Sequence, residues 1–228
     1  ITSNNNNTSL SKVGDQVTIS FTASNQLRSS PTVSINPDAE ASSATVTQGA
    51  DATQWVATYT LLETNTEGAL AFSIAFQDLA ANPGTAVTDV TDGSIVVFDK
   101  TATDVTAYTI ALDSGSDSGQ LNNDNYTNVT RPSFNVSGLT SGGATTVATN
   151  DSLLIFIGNS GVRYGGLIVD SDTEIITIGD GLDLVSSPSP YKILFKTRDS
   201  AGNMSLATDT IEVTIDTEAP VVGDVLDL

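Results

Sequence analysis

The sequence predicts an all-β protein, two tandem antiparallel β-sandwiches. Three observations carry this. Apolar residues alternate with Ser and Thr in short runs, clusters of Gly, Asn, Asp, Ser and Pro separate those runs, and no stretch shows the apolar period of an amphipathic helix. About ten to fourteen such runs in 228 residues suit two sandwiches of roughly seven strands better than one.

In the first half, Val17, Ile19 and Phe21 alternate with Thr18, Ser20 and Thr22, as in a strand with one buried face. Further runs lie at 31–36, 54–61, 69–76 and 94–98. Trp55 and Tyr59 stand four apart on one of them and share a face, which reads as core packing and not as a sugar-stacking platform. The Ala-rich stretch 39–44 is too short for more than one helical turn. In the second half, runs lie at 133–136, 153–157, 174–178, 191–197 and 210–215. Asp170-Ser171-Asp172-Thr173-Glu174 begins like an EF-hand loop, but Ile175 stands where glycine is required and Gly181 where the acid is required. It is expected to form a hairpin turn between Leu167–Val169 and Ile175–Ile178.

An internal repeat supports two units. Asp78 and Asn82 stand four apart, followed by a strand and then Phe98-Asp99-Lys100-Thr101-Ala102. Asp199 and Asn203 are spaced the same way, followed by a strand and Ile215-Asp216-Thr217-Glu218-Ala219-Pro220. The offset is 121 residues for the first Asp pair and 117 for the second, so the first copy has a longer hairpin around Asp89 to Gly93. The expected domains are 1–102 and 103–220, with 221–228 the start of a truncated third repeat or a linker.

Charge and composition exclude several functions. Against 27 acids stand 8 cations, a net charge of −19, which argues against nucleic acid and anionic membranes as partners. Asp outnumbers Glu by 21 to 6, and short Asp side chains serve turns and oxygen-rich cation sites, whereas Glu favours helices. With no Cys and no His, disulfides, thiol nucleophiles, Cys/His zinc sites and a His general base are excluded. No apolar run approaches the roughly 20 residues of a membrane helix, so no membrane insertion is expected. No nucleophile elbow or phosphate-cradling glycine loop occurs, and the chain reads as a non-enzyme.

The second half holds, in order, Leu112-Asp113, Ser116-Asp117-Ser118-Gly119, Asp124-Asn125-Tyr126-Thr127-Asn128 with Pro132 behind it, Arg198-Asp199-Ser200-Ala201-Gly202-Asn203 and Thr214 to Pro220. This set resembles the bacterial Ig-like repeats of large RTX- and biofilm-type surface adhesins. The first half is similar in Lys12-Val13-Gly14-Asp15, Trp55 to Tyr59, Asp92-Gly93-Ser94 and Phe98 to Ala102, with Ala81 where the repeat has glycine. This resemblance implies Ig-like β-sandwiches and calcium at the junctions between repeats. The expected calcium ligands are Asp113, Asp117, Asp124 and Asn128, with Asp78 and Asp99 of the preceding unit. A second set comprises Asp199, Asn203 and Asp216, with Asp224 from the next repeat. A competing structural role stands beside this, since Asp and Asn cap surface turns in any β protein.

The functional expectation is therefore an extender segment of a secreted or cell-surface adhesin, stiffened by calcium, that projects a distal binding module in adhesion or biofilm formation. Its partners would be neighbouring Ig-like repeats of the same chain, with a glycan or surface ligand held by another domain. A glycan- or protein-binding sandwich and an accessory domain of a secreted hydrolase are the alternatives.

Overall fold

Alternating side chains along the sequence become two-faced strands in the computed structural model, which describes residues 1–36, 42–103, 108–140, 147–148, 150–158, 162–179, 181–208 and 210–221. Two units result: Ile1–Thr101 with Ser200–Asn203, and Ala102–Asp199 with Met204–Leu228. The structure of the proposed third repeat falls almost wholly outside the described residues, as do Asp224 and much of the Ala-rich stretch.

The first unit contains β1 (Thr2–Ser3), β2 (Leu10–Ser11), β3 (Gln16–Thr22), β4 (Thr32–Asn36), β5 (Ser42–Ser43), β6 (Thr45–Gln48), β7 (Gln54–Thr60), β8 (Gly68–Ala69), β9 (Ala71–Ala75) and β10 (Val97–Phe98). One sheet runs β1-β3-β7-β6. Its inward face presents Val17 and Ile19 from β3 and Trp55 and Ala57 from β7, all buried. The others run β5-β4-β9 and β2-β10-β8. Only Leu70 separates β8 from β9, so one stretch of chain links these two sheets into the opposing layer. Between the layers Val33, Ile35, Leu61, Phe72, Ile74 and Phe98 complete the core. The return from β9 is irregular: Ile74 exchanges hydrogen bonds with Val87, and Val96 O accepts from Leu70 N–H. Asp89 to Gly93 lies between those two contacts in the chain.

The second unit contains β11 (Thr109–Leu112), β12 (Tyr126–Thr127), β13 (Ser133–Ser137), β14 (Ser152–Ile157), β15 (Arg163–Ile168), β16 (Thr173–Thr177), β17 (Tyr191–Arg198) and β18 (Ile211–Ile215). A three-stranded sheet, β11-β13-β16, faces a five-stranded one, β12-β18-β17-β14-β15. Phe134, Val136, Leu153, Ile155, Phe195 and Ile215 fill the space between. Phe134 and Phe195 meet edge to face at 5.6 Å. Gly165 and Gly166 fit beside β14 because they lack side chains. A Cβ on Gly165 would meet Ile155 at 2.7 Å, and one on Gly166 would meet Leu154 at 2.8 Å.

The repeat extends to topology. In each unit the last strand pairs in parallel with a two-residue strand that sequence periodicity misses, β10 with β2 and β18 with β12. The next residue then bonds back in the same way: Asp99 N–H donates to Ser11 O, and Asp216 N–H donates to Thr127 O. One expectation fails. Asp170 to Thr173 does not close a hairpin, because β15 belongs to the five-stranded sheet and β16 pairs with β13 in the other. Burying Ile176 requires β16 to cross to the opposite layer. Glu174 Oε1 secures the crossing by accepting the Asp170 and Ser171 N–H groups at 2.9 Å.

Candidate cation site

The Asp excess has a local use. Among the described residues, Asp51, Asp78, Asp92, Asp99, Asp113, Asp124 and Asp216 each accept, through a side-chain oxygen, the backbone N–H two residues ahead. A Glu side chain is one carbon too long for this compact turn, which accounts for part of the bias toward Asp. Five of the expected ligands, Asp78, Asp99, Asp113, Asp124 and Asp216, are in this group. Asp78 also receives Asn82 N–H and Nδ2, both at 2.8 Å. The Asn82 side chain, then its backbone, holds the Asp78 carboxyl below its usual range. Ala81 between them has φ 71°, and Gly202 in the second copy has φ 92°, so the alanine occupies a left-handed position suited to glycine.

Asp117 differs. It lies at the end of a tight turn after β11, where Ser116 N–H and Asp117 N–H both donate to Asp113 O. Its side chain is shut in, with 5% of the residue exposed. Oδ2 accepts Asn125 N–H at 3.2 Å, a donor aimed there by the left-handed φ of 61° at Asn125. Oδ1 is buried with no hydrogen-bond partner. Such a buried, half-satisfied carboxylate is costly unless a donor or cation completes it.

A polar frame surrounds this loop. Ser133 N–H donates to Ser116 Oγ at 2.9 Å, and Thr127 Oγ1 donates to Ser116 O. Ser118 Oγ donates to Asn128 Oδ1 at 2.9 Å and accepts Asn128 N–H at 2.8 Å. Asp113 Oδ2 accepts Asn135 Nδ2 at 2.7 Å. Thus Asp113, Asp117, Asp124 and Asn128 share one loop system, but among the described residues no three carboxylates gather into a cation site by themselves. Asp199 follows β17, and Asn203, grouped with the first unit, donates from Nδ2 to Asp99 O at 2.9 Å.

Sequence reasoning passed over Asp15 as a site residue. It is 7% exposed and fully engaged. Oδ1 accepts Lys12 Nζ at 2.7 Å, and Oδ2 accepts Lys12 N–H at 2.9 Å and Asn5 Nδ2 at 2.7 Å. Burial pushes its pKa up, but the Lys12 and Asn5 hydrogen bonds outweigh it and the net shift is downward. The signal was present in the sequence as a Lys three residues before the Asp. Trp55 is core-facing and 6% exposed, and its Nε1 is buried without a partner. An open cleft of about 1000 Å³ beside it is lined by Phe21, Phe72 and Phe76, but the indole presents no flat exposed face to stack on a sugar.

Residues 104–164 match the family model of a bacterial Ig-like domain. That stretch contains β11 to β14 and the whole Asp113–Asn128 loop, so the resemblance read from the loop motifs holds for this part of the chain. Both units are β-sandwiches of mainly antiparallel strands, and the Ig-like match falls within the second. Among solved structures, a marsupial T cell receptor is 14% identical, with a TM-score of 0.44 over 93% of this chain and 72% of that one. The FN1–FN3 domains of chicken CNTN1 are 12% identical, with a TM-score of 0.40 over 91% of this chain and 65% of that one. A tetra-tandem repeat in the extending region of a large adhesion protein is 19% identical, with a TM-score of 0.30. That alignment covers 91% of this chain and 49% of the repeat structure, so the chain spans about half its length. No curated protein matches the sequence.

Proposed function

We propose that the chain is a pair of extender repeats from a bacterial surface adhesin, with a mechanical and not a catalytic role: holding a distal binding module away from the cell. The observation that carries this reading is the repetition of one Ig-like topology in successive units, down to the parallel closing strand and the Asp that follows it. Sandwiches joined end to end add length in proportion to their number, which is what a spacer requires.

Calcium belongs to the proposal. Asp117 fits it best, because Oδ1 is an unused, buried anionic oxygen. Asp113, Asp124 and Asn128 stand in the same loop system and would supply further oxygens. Calcium, when bound, supplies a hard positive charge that takes six to eight oxygen ligands and replaces the missing donor at Asp117. Asp78, Asp99, Asp199, Asn203 and Asp216 enter the same proposal as ligands toward neighbouring repeats.

Small-angle scattering of the 228-residue chain in millimolar calcium and in chelator tests this reading. A maximum dimension that shortens on chelation supports calcium-stiffened spacing. An unchanged dimension overturns the role of calcium, and a compact particle in both conditions overturns the spacer.

A further inference from the structure

Unit 2 holds 17 acids and only five cations. Arg131 stands beside Asp183 at 2.7 Å. Arg163 and Lys192, each with an interaction of its own, and Lys196 and Arg198 lie on β15 and β17 of one sheet. On β17, Ile193 and Phe195 point into the core, so Lys192, Leu194, Lys196 and Arg198 share the outward face. Leu194 pairs with Phe156 of β14, and Phe156 pairs with Arg163 of β15, which places Arg163 in the same outward layer. The one acid of these strands on that face is Glu212, opposite Lys192 with a loose 3.7 Å ion pair. Asp170 and Asp199 follow beyond the strand ends.

The floor of this surface is apolar. Leu154, Phe156 and Leu194 form a cluster separate from the core and are almost fully buried. Lys196 Nζ lies 5.7 Å from the centre of the Phe156 ring, close enough for a cation–π contact. A contact of the Lys196 ammonium with the ring limits the motion of this side chain, so part of the ordering cost of binding is already met.

We propose that this outward face of the β12-β18-β17-β14-β15 sheet binds an anionic polysaccharide. Spacing and charge select that partner. At about 3.3 Å per residue, Lys192, Lys196 and Arg198 stand about 13 and 7 Å apart, and Arg163 lies two strands away, about 10 Å. Double-stranded DNA carries a charge every 1.7 Å or so, too dense for four cations mounted on an acidic unit. A chain of sugars bearing carboxylate or sulfate groups at intervals meets the same cations with far less repulsion from the rest of the unit. This inference goes beyond the spacer role and stands independently of calcium.

The test is binding of the 228-residue chain to heparin and to polygalacturonate at low salt, with dextran as the uncharged control. Binding to an anionic polysaccharide and not to dextran is expected, weakening about tenfold or more as salt is raised. Lys196→Glu with Arg198→Glu should reduce it at least tenfold, and Arg28→Glu in the first unit should leave it unchanged. Lys192→Gln with Arg163→Gln provides a milder second variant, with thermal unfolding to confirm that each protein is folded. No binding by the wild type, or undiminished binding by both folded variants, overturns the proposal. So does tighter binding to duplex DNA. Self-association in sedimentation that the variants abolish, without polysaccharide binding, would reassign the face to a second copy of the chain.

Discussion

Asp15 in the first unit and Asp117 in the second are buried to a similar degree, yet their surroundings are opposite. Asp15 has a lysine ammonium, a backbone N–H and an amide N–H within hydrogen-bonding distance. Asp117 has one N–H at 3.2 Å on one oxygen and nothing on the other. The first loop is complete in itself, because the sequence places its own cation three residues before the acid. Among the described residues the second loop brings no lysine or arginine to its acid, and one carboxylate oxygen is buried without a hydrogen-bond donor. Burial of an acid therefore says little about its role until its partners are counted.

The largest expected effect comes from removing the completed site. Asp15→Ala should destabilise the first unit by about 2–3 kcal/mol, because it deletes a charged acceptor and leaves three donors without it. Trp55 is the sole tryptophan of the chain and lies in the first unit, so its fluorescence follows that unit alone. Asp117→Ala in chelator should cost less, within about 1 kcal/mol, since the side chain forfeits one long hydrogen bond while relieving an unpaired buried charge. Calorimetry resolves it as a shift of the second transition. Equal losses in the two variants would erase the distinction between the loops.

Acid titration sharpens the contrast. The folded-state pKa of Asp15 is lowered from 3.8, so its contribution is fully present above that value and is lost as pH falls through the depressed one. Below about pH 4, Asp15→Asn should therefore lose less stability with falling pH than the wild type does, followed through Trp55. The smallest effect is at the turn that differs between the copies. Ala81→Gly should stabilise the first unit by up to about 1 kcal/mol, because a left-handed alanine is strained and glycine is not. Denaturant unfolding followed by fluorescence would reveal it.

Most of the architecture was legible in the sequence because burial on one face writes a two-residue period. Val17 and Ile19 in β3, and Ile193 and Phe195 in β17, all proved to face a core. The period is silent where a strand is only two residues long, as in β2 and β12, whose parallel pairing is set by long-range closure of the sandwich. It is also silent on which sheet a strand joins. Asp170 to Thr173 has the residues of a hairpin turn, but the need to bury Ile176 in the opposite layer decides the path. At the candidate site, the sequence marked the Asp-rich loop as a group. It did not separate Asp117 from Asp113 and Asp124, because the difference lies in which N–H groups the folded turn brings to each oxygen.

The most direct test of the proposed account is a calcium titration of thermal unfolding, read separately for the two units in the wild type and in Asp117→Asn. At 10 mM calcium, a site with a dissociation constant of about 10⁻³ to 10⁻⁴ M stabilises the folded state by about 1.4–2.7 kcal/mol. The account predicts that gain in the second unit of the wild type, its loss in Asp117→Asn, and a weak response to magnesium. A wild-type midpoint for the second unit that stays fixed through 10 mM calcium would contradict it.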